Sequence, residues 1–178
     1  MKHNPKHRLL RTWLIYFSVL FFAGAVQSRA QDTLLYPSLA PGSKAPPVSG
    51  TDEHGNPFRL SKIKSRYTLL YFYEVHCHLC EVVTPELKKL YDFYHPLGLE
   101  VIAVAIESDK EAWTRYIEDQ SLTWKNIYPG DKNRDHIKSN YLLTVSPTIY
   151  LLDRNKILLT QRLGRAEQVE EELNQRIR

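Results

Sequence analysis

Cysteine is almost absent from this chain: Cys77 and Cys80 are the only two in 178 residues, three positions apart. An exported domain held together by disulfides needs more cysteines at wider spacing, so a stapled framework is excluded. Nor is a staple required, because a body of about 150 residues buries roughly 68–70% of its unfolded surface. The body also lacks an excess of either charge. The formal charge of +4 rests on residues 1–30, which hold Lys2, Lys6, Arg8, Arg11 and Arg29 and no acid. The other residues carry 19 basic against 20 acidic side chains, so a nucleic-acid-binding face has no support. There is no internal repeat and no low-complexity tract. The longest apolar run, Thr12 to Val26, is 15 residues, short of the ~20 that a spanning helix needs. No cysteine stands near its end to carry a lipid.

Residues 1–30 instead have the layout of an export signal. A basic segment from His3 to Arg11 precedes the apolar run, and Ser28-Arg29-Ala30 offers small residues at the cleavage positions. The expected arrangement is a cleaved signal peptide over 1–30, an irregular lead-in over 31–41, and one domain over 42–178. The mature chain would begin at Gln31, work outside the cytoplasm and have no stable membrane anchor.

Along the body, Pro37, Pro41, Gly42, Pro46 and Pro47 interrupt regular structure. Thr51 to Asn56 has turn composition around Gly55, and Pro57 to Leu60 suits a short edge strand. Tyr67 to Tyr73 and Glu100 to Ile106 are apolar runs that suit strands buried on both faces. Between them Val82, Val83, Leu87, Leu90, Tyr91 and Tyr94 recur at helical spacing until Pro96 and Gly98 end the helix. Asp109 suits the N-cap of a helix carrying Trp113, Tyr116 and Ile117. Pro129-Gly130 reads as a turn, and residues 131–143 as a short helix ending near Tyr141. Thr148–Leu152 and Ile157–Gln161 read as two strands joined through Asp153 to Lys156. A charged terminal helix over 165–178 carries Val169, Leu173 and Ile177 on one face. This order predicts an α/β fold, a three-layer sandwich around a mixed sheet, with the two buried strands parallel.

The cysteines fall where a buried strand gives way to a helix. Free N–H groups and the positive dipole end at that point favour an anion, and the thiolate is the reactive form of cysteine. Cys77 can attack a partner disulfide there, and Cys80, one turn further in, can resolve the mixed intermediate. A static disulfide closing so small a loop adds little entropic stabilisation, so a redox function is the better reading. His76, Cys77, His78 and Cys80 also raise a metal-carrier reading, copper above all. Adjacent residues do not converge on one tetrahedral centre, however, and no second ligand pair is evident. Haem attachment fails because Glu81 stands where Cys-x-x-Cys-His needs histidine.

With these residues the chain resembles the thioredoxin fold and, within it, the exported TlpA/ResA-like thiol–disulfide oxidoreductases. The resemblance covers about residues 42–175. Gly42 to Pro47 is similar to that group's Gly-x-x-Ala-Pro opening, and Gly55 to Leu60 to its hairpin before the central strand. Pro85, five residues after Cys80, matches its helix proline. Val145-Ser146-Pro147-Thr148 resembles its cis-proline loop, which implies that Ser146 and Pro147 receive the substrate backbone. Asp153 to Ile157 resembles its Asp-x-x-Gly-Lys hairpin, with Asn155 in the glycine's place. The resemblance implies that Cys77 and Cys80 are catalytic and themselves the redox group, with no other cofactor and no metal. It further implies protein thiols and disulfides as partners, an upstream redox donor, a periplasmic setting and a reductase role.

Departures from the pattern sharpen the question of proton handling. Tyr71 stands where thioredoxins carry a buried acid, and Val83 where TlpA/ResA-like proteins often place a glutamate. Glu74 or Glu81 is a candidate substitute, although Glu81 also suits the first helical turn as a dipole partner. His76 and His78 flank Cys77 and, when protonated, favour its thiolate, which points to a more oxidising potential than a typical thioredoxin's. A peroxiredoxin shares the fold, but its Pro-x-x-x-Thr-x-x-Cys motif has neither Pro nor Thr in residues 70–77 here.

Overall fold

The computed structural model describes residues 39–107 and 109–177, so the expected signal peptide and most of the lead-in lie outside the described residues. Six strands form one mixed sheet: β1 (Ser49–Asp52), β2 (Pro57–Arg59), β3 (Tyr67–Tyr73), β4 (Leu99–Ala105), β5 (Lys125–Tyr128) and β6 (Thr148–Asp153), in the order β2-β1-β5-β4-β3-β6. Four helices connect or flank them: α1 (His78–Tyr94), α2 (Lys110–Asp119), α3 (Gly130–Asn140) and α4 (Ala166–Arg176). β3 and β4 run parallel, as do β4 and β5, whereas β6 lies antiparallel on the other side of β3.

The buried β3 run divides by the two-residue period of a strand. Leu69, Tyr71 and Tyr73 enter a core with Cys80, Val83 and Leu87 of α1, Trp113 and Tyr116 of α2, and Val169 and Leu173 of α4. Leu70 and Phe72 face the opposite core with Ile137 of α3, Tyr141, Phe58 and Val48. Three layers result, as expected, and the alternation decides which β3 side chains lie beneath the cysteines.

Several local expectations hold in detail. β3 spans Tyr67–Tyr73, α1 passes into a short 3₁₀ turn at His95–Leu97, and Gly98 closes it at φ +99°. Asp109 caps α2 by accepting the Ala112 N–H at 2.8 Å. The helix expected over 131–143 runs from Gly130 to Asn140.

Three readings need correction. β1 and β5 were not anticipated; each is four residues long, and β1 alternates no apolar pattern because it is half-buried throughout. The strand expected over Ile157–Gln161 does not form; only isolated bridges join Ile157 to Lys44 and Leu158 to Leu152. Its ladder breaks because the Leu151 N–H donates to the Thr160 side chain rather than to a backbone carbonyl. In the turn before it, Lys156 and not Asn155 holds the glycine's place, the fourth position of Asp-x-x-Gly-Lys, with the left-handed φ of +62°. The Lys156 N–H donates to the Asp153 carbonyl, and the Asp153 N–H to the Ile157 carbonyl, as in a turn closed by a one-residue bulge.

Candidate active site

β3 ends at Tyr73, and Glu74-Val75-His76 carries the chain to Cys77, the N-cap of α1. A cap accepts from the exposed N–H groups of the first turn, a part usually taken by Ser, Thr, Asp or Asn. Here sulfur takes it: the Cys80 N–H donates to Cys77 Sγ at 3.3 Å. N–H groups at the start of a helix favour an anion there. Both cysteines are free thiols. Cys77 is half-exposed and Cys80 is 0% exposed, so Cys77 is the thiol that solvent reaches. Burial pushes the Cys80 thiol well above its ordinary range, and the adjacent Cys77 pushes the same way.

The third element comes from far along the chain. The antiparallel register pairs Phe72 with Thr148, which carries the loop before β6 to the end of β3. The Ser146–Pro147 peptide bond is cis, and the Cys77 thiol donates to the Ser146 carbonyl at 3.4 Å. Thr148 Oγ1 donates to the Val145 carbonyl at 2.8 Å and closes the loop. Residues 69 positions apart thus meet at one point, Pro147 buried and Ser146 half-buried.

The expected tuning residues separate into two surroundings. Glu74 lines a cavity of about 260 Å³ with Cys77, Lys138, Val145 and Ser146. His76 lines a different cleft, of about 450 Å³, with Glu81, Arg115, Tyr116 and Asp119. His78 is 87% exposed, and its Nδ1 lies 3.4 Å from the Glu81 carboxylate. The two histidines therefore point away from each other, while the two cysteines stay in contact. Among the described residues no group of three or more His, Cys, Asp or Glu side chains is arranged to hold a metal ion.

One acid escaped the sequence reading. Glu107 lies just beyond β4, and its Oε2 accepts the Val75 N–H at 3.0 Å while Oε1 is buried with no hydrogen-bond partner among the described residues. Burial pushes this carboxyl above its usual value; the Val75 bond and His76 act against that, and Glu74 and Asp109 with it. The β3–β4 register, which sets Tyr73 against Ala105, brings residue 107 level with residue 75. Thirty residues separate Glu107 from Cys77, and only pairing the two apolar runs in register would have exposed it.

Behind Cys80 the sheet presents hydroxyls where an acid was sought. Tyr71 is fully buried, and its hydroxyl lies 2.9 Å from Thr84 Oγ1, which in turn lies 2.9 Å from the Tyr116 hydroxyl. Tyr71 and Tyr73 stack with ring centroids 5.2 Å apart.

Comparison with known proteins agrees with this geometry. A model described as the AhpC/TSA family matches residues 41–160. A protein named thiol-disulfide oxidoreductase ResA from Geobacillus kaustophilus is 30% identical over 118 residues, 66% of each chain. A protein of the same name from Bacillus anthracis is 29% identical over 133 residues, 74% of this chain and 73% of its own. Among solved structures, the thioredoxin domain of a thiol-disulfide oxidoreductase from Bacteroides vulgatus superposes with a TM-score of 0.74 at 26% identity. That match covers 79% of this chain and 100% of the other. A domain of a possible thiol-disulfide isomerase from Cytophaga hutchinsonii gives 0.70 at 31% identity, covering 76% and 92%.

Proposed function

This chain belongs to the AhpC/TSA family and has a thioredoxin-like fold, and from that premise we propose that it is an extracytoplasmic thiol–disulfide oxidoreductase acting on partner proteins. Cys77 attacks a partner disulfide, forming a mixed disulfide and releasing one partner thiolate. Cys80 then attacks Cys77 Sγ; the Cys77–Cys80 disulfide forms, and the second partner sulfur leaves with the electron pair. Two electrons pass to the partner, and an upstream dithiol donor returns the pair to its reduced form. The redox group is the cysteine pair itself.

One observation carries this reading: a half-exposed thiol caps a helix while a fully buried thiol waits one turn behind it. That asymmetry orders the two attacks. The Ser146 carbonyl beside Cys77 suits a docked polypeptide backbone, as the resemblance implies. Val145 lines the cavity beside Cys77 and is exposed, as are Leu79 and Val82 on the first turns of α1, and such apolar surface favours polypeptide over small hydrophilic substrates. The location outside the cytoplasm is supported by the signal-like residues 1–30 and by the resemblance, which also favours the reducing direction. Peroxide reduction lacks its motif, since residues 70–77 contain neither Pro nor Thr.

Mixed-disulfide trapping tests the assignment. Cys80→Ser is expected to hold partner proteins covalently on Cys77, and Cys77→Ser to hold none. Equal trapping by both variants, or failure of the parent to reduce insulin disulfides, overturns the reading.

A further inference from the structure

The second step of exchange needs a proton to leave Cys80, a thiol with no exposed surface. Tyr71 of β3 packs with it in one buried core cluster, and each of the two groups acts on the other's titration. Thr84 stands four residues after Cys80 on the same buried face of α1. Its hydroxyl bridges Tyr71 to Tyr116 with two contacts of 2.9 Å, and in each either oxygen can be the donor. Tyr116, on α2, is nearly buried but lines the 450 Å³ cleft that also holds His76, Glu81, Arg115 and Asp119. A line of three hydroxyls thus runs from the buried sulfur to a wet, charged cleft.

Resting on the disulfide-exchange reading, we propose that Tyr71, Thr84 and Tyr116 form the path along which the Cys80 proton leaves and returns. Each hydroxyl both donates and accepts, so a proton entering at Tyr71 is matched by one leaving at Tyr116. No member has to ionise. That matters because burial holds the Tyr71 phenol well above its ordinary value and raises Tyr116 to about 12. As Cys80 Sγ bonds to Cys77 Sγ, its proton moves to the Tyr71 oxygen, and Tyr116 releases one to water in the cleft. The partner sulfur departs with the electron pair of the broken mixed disulfide and takes its own proton from solvent. In the reverse direction the hydroxyls turn over and the proton runs inward. The groups facing the path are Cys77 and Glu81 from α1, Tyr73 from β3, Arg115 and Asp119 from α2, and His76 from the loop. Glu107 acts on Tyr73.

A merely structural role for the hydroxyls predicts lost stability but unchanged proton chemistry. The test is stopped-flow reaction of the reduced full chain with excess 5,5′-dithiobis(2-nitrobenzoate). Attack by Cys77 releases the first thionitrobenzoate, and closure by Cys80 releases the second. Tyr71→Phe, which keeps the stacked ring, and Thr84→Val, which removes the bridge, are expected to leave the first phase intact. Both should slow the second by about a hundredfold, the lower end of what a positioned proton acceptor contributes. Their second phase should also rise more steeply with pH and lose the parent's solvent deuterium effect, while Thr84→Ser restores both. Second phases in Tyr71→Phe and Thr84→Val that overlay the parent's in pH profile and deuterium effect would overturn the proposal. So would a slow phase whose pH profile is unchanged. A parent that releases only one thionitrobenzoate and leaves insulin unreduced fails the exchange reading itself, a result separate from any difference between variants.

Discussion

Glu107 Oε2 accepts the Val75 N–H at 3.0 Å, so a side chain from the end of β4 holds the three-residue segment that delivers Cys77. Burial raises the carboxyl above its usual 4.5, and the neutral form is the one the fold prefers. Stability from this group is therefore fully present below the unfolded value of 4.5 and is lost as pH rises through the folded value. Glu107→Gln keeps an acceptor for Val75 without the charge. Urea midpoints of parent and variant are expected to agree near pH 4 and to separate towards neutrality, the variant becoming the more stable. Parallel midpoints from pH 4 to 8 would show that the carboxylate carries no burial cost.

The burial difference between the cysteines has a direct chemical readout. In the native reduced protein iodoacetamide is expected to modify Cys77 alone, giving a single adduct by peptide mass analysis. Cys80 should react only after denaturation. Equal labelling of both in the native state contradicts the ordered attack.

His78 was expected to strengthen the thiolate, and its geometry now bounds the effect. It is 87% exposed and sits 3.4 Å from Glu81, itself 56% exposed. An exposed pair is worth at most ~1 kcal/mol. His78→Ala should therefore make the protein more reducing by no more than ~20 mV, measured against glutathione. A change of opposite sign would remove the histidine from the account.

The Asp109 cap supports α2, which carries Tyr116. Asp109→Ala should cost about 1 kcal/mol in chemical denaturation, and Asp109→Ser should recover most of it. No loss in the alanine variant would mean that the Ala112 N–H finds water just as well.

The expected export signal gives a test outside the described residues. Protein recovered from the cell envelope of a bacterial host is expected to begin at Gln31. An intact Met1 in the membrane fraction would make residues 1–30 an anchor. No helix among the described residues is long and apolar enough to cross a membrane.

The elements legible in the sequence were those whose signals are local. β3 and β4 are apolar runs buried on both faces, Asp109 is a cap at the start of an apolar period, and Cys77-His78-Leu79-Cys80 opens a helix after a strand. Pro147 was readable because a resemblance attached a role to it. β1 and β5 were missed because each is short. Their pairing is supplied by neighbours, and Gly50 lies so close to β5 that a Cβ there would meet the Tyr128 carbonyl oxygen at 2.5 Å. The strand over 157–161 looked sound by composition, but Thr160 diverted a backbone donor with its own hydroxyl.

The sequence by itself thus determined the layered α/β architecture and the place of the cysteine pair at the start of α1, because periodicity, capping and a helix-opening Cys-x-x-Cys act within a few residues. Only the tertiary structure decided which groups attend that pair. Register set Glu107 beside Val75 and Ser146 beside Cys77 across separations of 32 and 69 residues. Packing of α1 and α2 on β3 turned Tyr71, Thr84 and Tyr116 into one hydroxyl line. Hydrogen bonds and proton paths depend on distances of about 3 Å, and those distances are settled by how strands pair and helices pack rather than by spacing along the chain.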